Sequence, residues 1–412
     1  MAKEQIICGL DIGTTKTRVV VLQKRKGDEK PSVIGVSELH SSGIKRGEVK
    51  DVNEVSDLIH KVVDEAERTS GQSIESVFVN LSGPHITAIS SKGVVAVSRA
   101  DQEISKEDKQ RVLRTTEAIS IPTNRKIVHV IPKEFIIDGE GGIKDPLGMN
   151  GVRLEVSALV VDASVSAMGN LTKAVDGSGI DLDEMIVSPL ASAMSVLSKR
   201  QKELGVLVLD IGGGTSSISV FEDGSIIHAA VLPIGADHIT NDIAIGLRTE
   251  IDVAEQVKLE YGTADVKGVN KKEMIDLSEL GFEDGGSVSR RYIAEIIHAR
   301  LDEIFELTDK ELKKLSKQGL LPGGVVLVGG GAKIPHIIEV AKERLKLPAQ
   351  IGLPGGGLDG ILDKITDPEY ATSVGLALWG VEGSESGSNN SGSDSVKGFF
   401  GKIFKSIKTF MP

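Results

Sequence analysis

Cysteine is almost missing from this chain of 412 residues: Cys8 stands alone. No disulfide framework can form, and the sequence predicts a reducing compartment. Basic charge is in deficit. The net charge is −11 and the pI near 5.4, which argues against nucleic acid as a partner, because phosphate backbones need a basic footprint. Eight histidines are scattered with no His-x-x-x-His pair or carboxylate cluster, so a structural zinc site is excluded. No window reaches the roughly 18 uninterrupted apolar residues of a membrane span. The opening MAKEQIICGLDIG has no apolar stretch before a small-residue cleavage site. The expectation is a cytosolic, globular body with core enough for two to four domains.

Aromatics are scarce too, at 3%, yet four of the nine Phe fall in the last seventeen residues. Val396, Phe399, Phe400, Ile403, Phe404, Ile407, Phe410 and Met411 recur at the helical period. Lys397, Lys402, Lys405 and Lys408 take the other side, and no acid follows Asp394. An apolar face beside a lysine-only face suits a helix lying on an anionic bilayer. Each lysine near such a surface adds about 1 kcal/mol of attraction. The competing reading is a helix that docks on its own body or in a partner groove. The stretch before it, EGSESGSNNSGSDS at 382–395, has no large apolar residue and is expected to be disordered. A Gly/Ser tether of that length spans about 20 Å root-mean-square. A docked helix would not need it.

Two turns repeat about half the chain apart. IICGLDIGTTKTRVVVL runs from residue 6, and VLVLDIGGGTSSISVF from residue 206. Each has an apolar run, an Asp-Ile-Gly, a polar turn and a β-branched run. This predicts a duplicated hairpin rather than the strand-to-helix turn of a dinucleotide or Walker site. Gly13, Thr14, Thr15, Gly212, Gly213, Gly214 and Thr215 would cradle phosphate oxygens with backbone N–H groups and hydroxyls. Asp11 and Asp210, at the strand ends, are the candidate holders of a hydrated Mg²⁺. Lys16 either reaches the terminal phosphates or is a plain exposed turn residue. A third run, VVLVGGGAKIP from Val325, places Gly329, Gly330 and Gly331 between a buried strand and a helix. Glycines there let a flat base or ribose lie against the backbone; a tight strand–helix turn is the alternative.

The order DIGTTKTR, SPLASAMSVL, DIGGGTSS, VGGGAKIP, YATSVGLALW resembles the phosphate motifs, connecting helices and adenosine motif of the actin and sugar-kinase superfamily. Within it, residues 6 to about 381 are most similar to the FtsA family of bacterial cell division. The resemblance implies an α/β, actin-like (ribonuclease H-like) two-lobed fold with duplicated mixed sheets, an inserted α/β subdomain and a C-terminal amphipathic helix. The expected divisions are 1–83 with 162–200 (first half), 84–161 (insert), 201–235 with 310–381 (second half), 236–309 (helical subdomain over the cleft), 382–395 (linker) and 396–412 (tail).

The resemblance also implies ATP and Mg²⁺ as cofactors, held through Asp11 and Asp210, with Asp210 orienting an attacking water. Glu255 and Lys258, one helical turn apart, would touch ribose and base; a surface ion pair is the plain alternative. Where heat-shock chaperones and MreB-like filament proteins start the connecting helix with Glu-Pro, this chain has Ser188-Pro189. A serine cannot serve as a carboxylate base, so hydrolysis should be slow at most. The implied partners are the C-terminal tail of the tubulin-like FtsZ, with Arg290, Arg291 and Arg300 as candidate contacts, further copies of the chain in a filament, other division proteins through the insert, and an anionic membrane. The implied place is the cytoplasmic face of the membrane at the division site. Other functions on the same fold are an adaptor of pilus or secretion assembly and a small-molecule kinase. The kinase would need a cleft carboxylate and has no use for the basic tail.

Overall fold

The computed structural model describes residues 4–280 and 286–385. The expected tail, with its membrane-facing residues, and most of the expected linker lie outside these. The start of that linker differs from expectation. Helix Ala371–Glu385 runs through Glu382–Glu385, carrying on the apolar helix before it.

Two sheets share one plan. In the first, Glu4–Ile12 pairs antiparallel with Lys16–Arg25, which pairs antiparallel with Ser32–His40. On its other side Glu4–Ile12 runs parallel to Ser76–Leu81, and that strand parallel to Asp181–Val187. The second sheet repeats each step. Val206–Ile211 pairs antiparallel with Ser216–Glu222 and that strand with Ser225–Leu232. Its parallel neighbours are Val325–Val328 and then Ala349–Ile351. The central strands are buried on both faces, which is why IICGL and VLVLDI read as unbroken apolar runs rather than alternating ones.

Helix Val52–Ser70 covers the first sheet. Asp51 caps it, accepting from the N–H groups of Asn53 and Glu54, and Gly71 ends it at φ +67°. Its face of Val55, Leu58, Ile59, Val62, Val63 and Ala66 is buried. Between the lobes, helix Ser188–Val196 crosses Ala371–Glu385 and packs on strands of both sheets. The crossing is close: a Cβ on Gly375 would stand 1.7 Å from the Ala191 carbonyl oxygen.

The insert is a four-stranded sheet of Thr87–Ala96, Arg153–Ser164, Arg125–Ile137 and Glu140–Ile143, with helix Lys106–Thr116 across it. It touches both lobes. Ser225 Oγ donates to the Lys133 carbonyl at 2.9 Å and Lys144 Nζ to the Asp223 carbonyl at 2.6 Å. On the first lobe, His129 is buried against Trp379, with ring centroids 5.6 Å apart, and its Nε2 accepts the Val187 N–H at 3.3 Å.

Burial pushes the His129 imidazole down to about 3. The folded chain therefore refuses a proton that the unfolded chain takes below pH 6.5. The stabilisation is complete above that pH and is lost on the way down. The difference in unfolding free energy between wild type and His129→Gln should shift against the wild type by about 1 kcal/mol from pH 6.5 to 5.5. Denaturant unfolding of both proteins at the two pH values measures it; parallel curves would refute the assignment.

Candidate functional site

The two glycine turns close with the same hydrogen bond. Gly13 N–H donates to the Lys16 carbonyl at 3.1 Å, and Gly212 N–H to the Thr215 carbonyl at 2.9 Å. They face one another in one crevice. A Cβ on Gly213 would lie 2.0 Å from Thr15 Oγ1, and one on Gly214 would lie 2.6 Å from Thr14 Oγ1. A side chain at either position would displace the threonine hydroxyls of the first turn. Behind the second turn, helix Ala236–Leu247 points its N-terminus inward, with Ala236 and Asp237 N–H bonded to the carbonyls of Gly212 and Gly213. The positive end of the helix dipole thus lies at the second turn, with its first N–H groups already bonded to that turn's carbonyls.

Asp11 and Asp210 stand at equivalent strand ends. Asp11 opposes Arg18 across its hairpin, whereas Asp210 opposes Ser217. Burial raises the Asp11 carboxyl to about 7; Arg18 pulls it down and Asp210 pushes it up further. Burial raises Asp210 to about 6, against the Thr372 hydroxyl that donates to its Oδ2 at 2.9 Å and against Arg18. A buried and a half-buried carboxylate thus share the field of one guanidinium. A hydrated divalent cation would supply the missing charge, and paired carboxylates are donors that suit Mg²⁺. The third glycine run lies close by: a Cβ on Gly329 would be 2.4 Å from Asp210 Oδ1, and one on Gly331 2.3 Å from the Ile211 side chain. Gly330 opens the short turn Gly330–Lys333. An open depression of about 490 Å³ adjoins it, lined by Lys333, Ile334, His336, Ile337 and Ile351 among others.

The Lys16 carbonyl closes the first turn, and its side chain runs from there to two carboxylates. Its Nζ contacts Glu38 at 2.6 Å and Glu369 at 3.7 Å. Arg18 joins the same cluster, on Glu38 at 2.6 Å and on Glu369, with its guanidinium over the Tyr370 ring. Glu255 and Lys258 pair with each other at 2.6 Å and both reach Thr240, at 2.5 and 2.7 Å. That fixes them to the helix whose N-terminus meets the turns. Ser188 is buried, its hydroxyl donating to the Leu81 carbonyl at 3.4 Å.

The three candidate partner arginines are already paired. Arg290 bonds Glu273 at 2.7 Å and the Tyr261 carbonyl, Arg291 bonds Glu295 at 3.3 Å, and Arg300 grips both oxygens of Asp242 at 2.7 and 2.9 Å.

Asp237 belongs to the crevice and was not singled out from the sequence. Thr15 Oγ1 donates to its two oxygens at 3.1 and 3.3 Å. Burial pushes its carboxyl up, while Thr15 and then Lys258 draw it down. The one available signal was an acid in the first turn of a helix that follows a glycine, Gly235-Ala236-Asp237.

Known proteins agree with this architecture. A protein of Pseudomonas aeruginosa described as cell division protein FtsA is 38% identical over 391 residues, 95% of this chain and 93% of that one. Among solved structures, the PilM–PilN type IV pilus biogenesis complex has a TM-score of 0.66 at 20% identity, covering 91% of this chain and 98% of that one. MreB5 of Spiroplasma citri bound to ADP has a TM-score of 0.54 at 14% identity, covering 94% and 99%. These likenesses establish the actin-like fold. The family model described as cell division protein FtsA matches residues 207–375, and the one described as the SHS2 domain inserted in FtsA matches residues 83–162. By profile and by identity along nearly its whole length, this chain belongs to the FtsA family of actin-like cell-division proteins.

Proposed function

We propose that the protein binds ATP with Mg²⁺ between its lobes, polymerises on the cytoplasmic face of the membrane, and tethers the FtsZ ring there. The observation that carries the nucleotide part is the pair of glycine turns set face to face beside two under-compensated carboxylates. Gly13, Thr14, Thr15 and Gly212–Thr215 bind the phosphates, and Asp11 and Asp210 hold Mg²⁺ through water. Glu255, Lys258 and Gly329–Gly331 take the adenosine, the neighbour from Spiroplasma being an ADP complex. The cation neutralises the phosphates. Asp210 is the residue to orient an attacking water. Ser188 offers no carboxylate at the start of the connecting helix, so hydrolysis is slow and the nucleotide acts mainly by setting the conformation.

The membrane part rests on the lysine-only amphipathic pattern of 396–412. No helix among the described residues is long and apolar enough to cross a bilayer. Polymerisation multiplies weak tails, since linked sites gain avidity without new contacts. For partners, the helical subdomain exposes Ile245 and Leu259. Arg290, Arg291 and Arg300 of the same subdomain are candidate contacts for the FtsZ tail, which would have to compete with their present pairs. The insert exposes Val94, Met149 and Val152, the surface for other division proteins and for self-contact.

The test mixes the full chain with Mg-ATP and anionic vesicles, followed by flotation, phosphate release and electron microscopy. Filaments on the lipid are expected, with turnover below the ~1 s⁻¹ at which good kinases begin. A chain lacking 396–412 should stay off the vesicles while still binding nucleotide. Undiminished flotation of that shortened chain would sink the anchor.

A further inference from the structure

A hairpin of two short strands, Ile44–Lys45 and Glu48–Val49, brings its tip, Arg46–Gly47, to the seam between the two glycine turns. Gly47 N–H donates to Thr14 Oγ1 of the first turn at 3.0 Å. On the second turn, a Cβ on Gly214 would stand 3.0 Å from the Arg46 Cα. The tip is thus pinned against both halves of the crevice. Arg46 holds a left-handed backbone, φ +52°, which costs a non-glycine residue free energy and persists only where the surroundings impose it.

The charge balance of the crevice makes this arginine matter. Three carboxylates, Asp11, Asp210 and Asp237, stand around the place where a polyphosphate would bind. The neighbouring cations are engaged: Lys16 and Arg18 with Glu38 and Glu369, Lys258 with Glu255, and Lys333 with Asp367 and Glu369. Arg46 is exposed and makes no ion pair or side-chain hydrogen bond among the described residues. Like Lys45 beside it, it is uncommitted among the described residues, and its Cα abuts the second turn. A guanidinium is suited to grip two oxygens of one phosphate.

We propose that Arg46 is a residue that contacts the terminal phosphate of the bound nucleotide, and that it makes the site prefer a triphosphate to a diphosphate. The inference rests on reading the crevice as a nucleotide site. It assigns Arg46 as a specificity-determining residue that offsets the repulsion between the terminal phosphate and Asp237.

The test compares the full chain with Arg46→Gly and Arg46→Asn, titrating fluorescent Mg-ATP and Mg-ADP analogues. Both replacements suit a left-handed backbone, so the fold is retained and melting without nucleotide should be unchanged or higher. Both variants should lose at least about tenfold in ATP affinity while ADP affinity stays within about twofold. ATP and ADP weakened by the same factor, or neither weakened, would overturn the assignment. A wild-type chain that binds neither nucleotide would instead fail the nucleotide reading itself, and this inference with it.

Discussion

Gly375→Val should unfold the protein or leave it melting far below the wild type. Helices Ser188–Val196 and Ala371–Glu385 meet backbone to backbone at this point, and a Cβ on Gly375 would overlap the Ala191 carbonyl oxygen at 1.7 Å. A flexible side chain could step aside; a carbonyl in a buried helix cannot. Neither helix has room to retreat. Ala191 is fully buried, and on the other side Gly9 comes so near Ser373 and Ala377 that a Cβ there would be 2.4 and 2.6 Å from their backbone. Overpacking typically costs 1–3 kcal/mol, and a clash this deep belongs at the upper end, about 3 kcal/mol or more. The destabilisation has a functional side, because this crossing joins the two halves. A milder Gly375→Ala that still folds should hold the lobes apart and weaken nucleotide binding. Thermal melting with and without Mg-ATP measures both, and a Gly375→Val protein that melts like wild type would contradict the packing.

Asp210→Asn should separate stability from binding. Its carboxyl is raised to about 6 and that of Asp11 to about 7. A raised carboxyl gives its full stabilisation only while protonated, below the unfolded value near 4, and loses it as pH climbs through 6–7. At pH 7.5 the nucleotide-free protein therefore carries two ionised carboxylates that oppose folding. Asn removes one of them, and its side-chain oxygen still accepts from the Thr372 hydroxyl. Without ligand the variant should be as stable as wild type or more so. With Mg-ATP the order reverses. A ligand at one hundred times its dissociation constant adds about 2.7 kcal/mol to the wild type, and the variant should gain almost nothing. Scanning calorimetry of both proteins decides it. A full Mg-ATP shift in Asp210→Asn would remove this carboxylate from the metal site.

Much of the fold was legible because its signals are local. Asp-x-Gly turns between apolar runs mark both hairpins, since glycine must turn there and β-branched residues must pair there. Val55, Leu58, Ile59, Val62 and Val63 share one face and predict a helix over about 53–68, which the structure has at Val52–Ser70. What stayed hidden was set by register and by long-range approach. Lys16 reads from the sequence either as a phosphate ligand or as a plain turn residue. Once Arg18 stands opposite Glu38 on the next strand, the same carboxylate captures Lys16 as well. Asp237 reaches Thr15 from 222 positions away, and the Arg46–Gly47 tip reaches Thr14 from 33. No window of sequence contains either approach. Gly375 sits in an apolar helix where nothing local distinguishes a spacer from a contact. The linker boundary was misjudged because composition turns polar at Glu382 before the helix has finished.

Helix Ala371–Glu385 both crosses its partner at Gly375 and carries the chain outward toward residue 386. Any pull on the chain beyond Glu385 is delivered along that rod to the pivot of the two halves, not to an outlying loop. On the reading proposed above, the tether and the nucleotide would act on the same crossing.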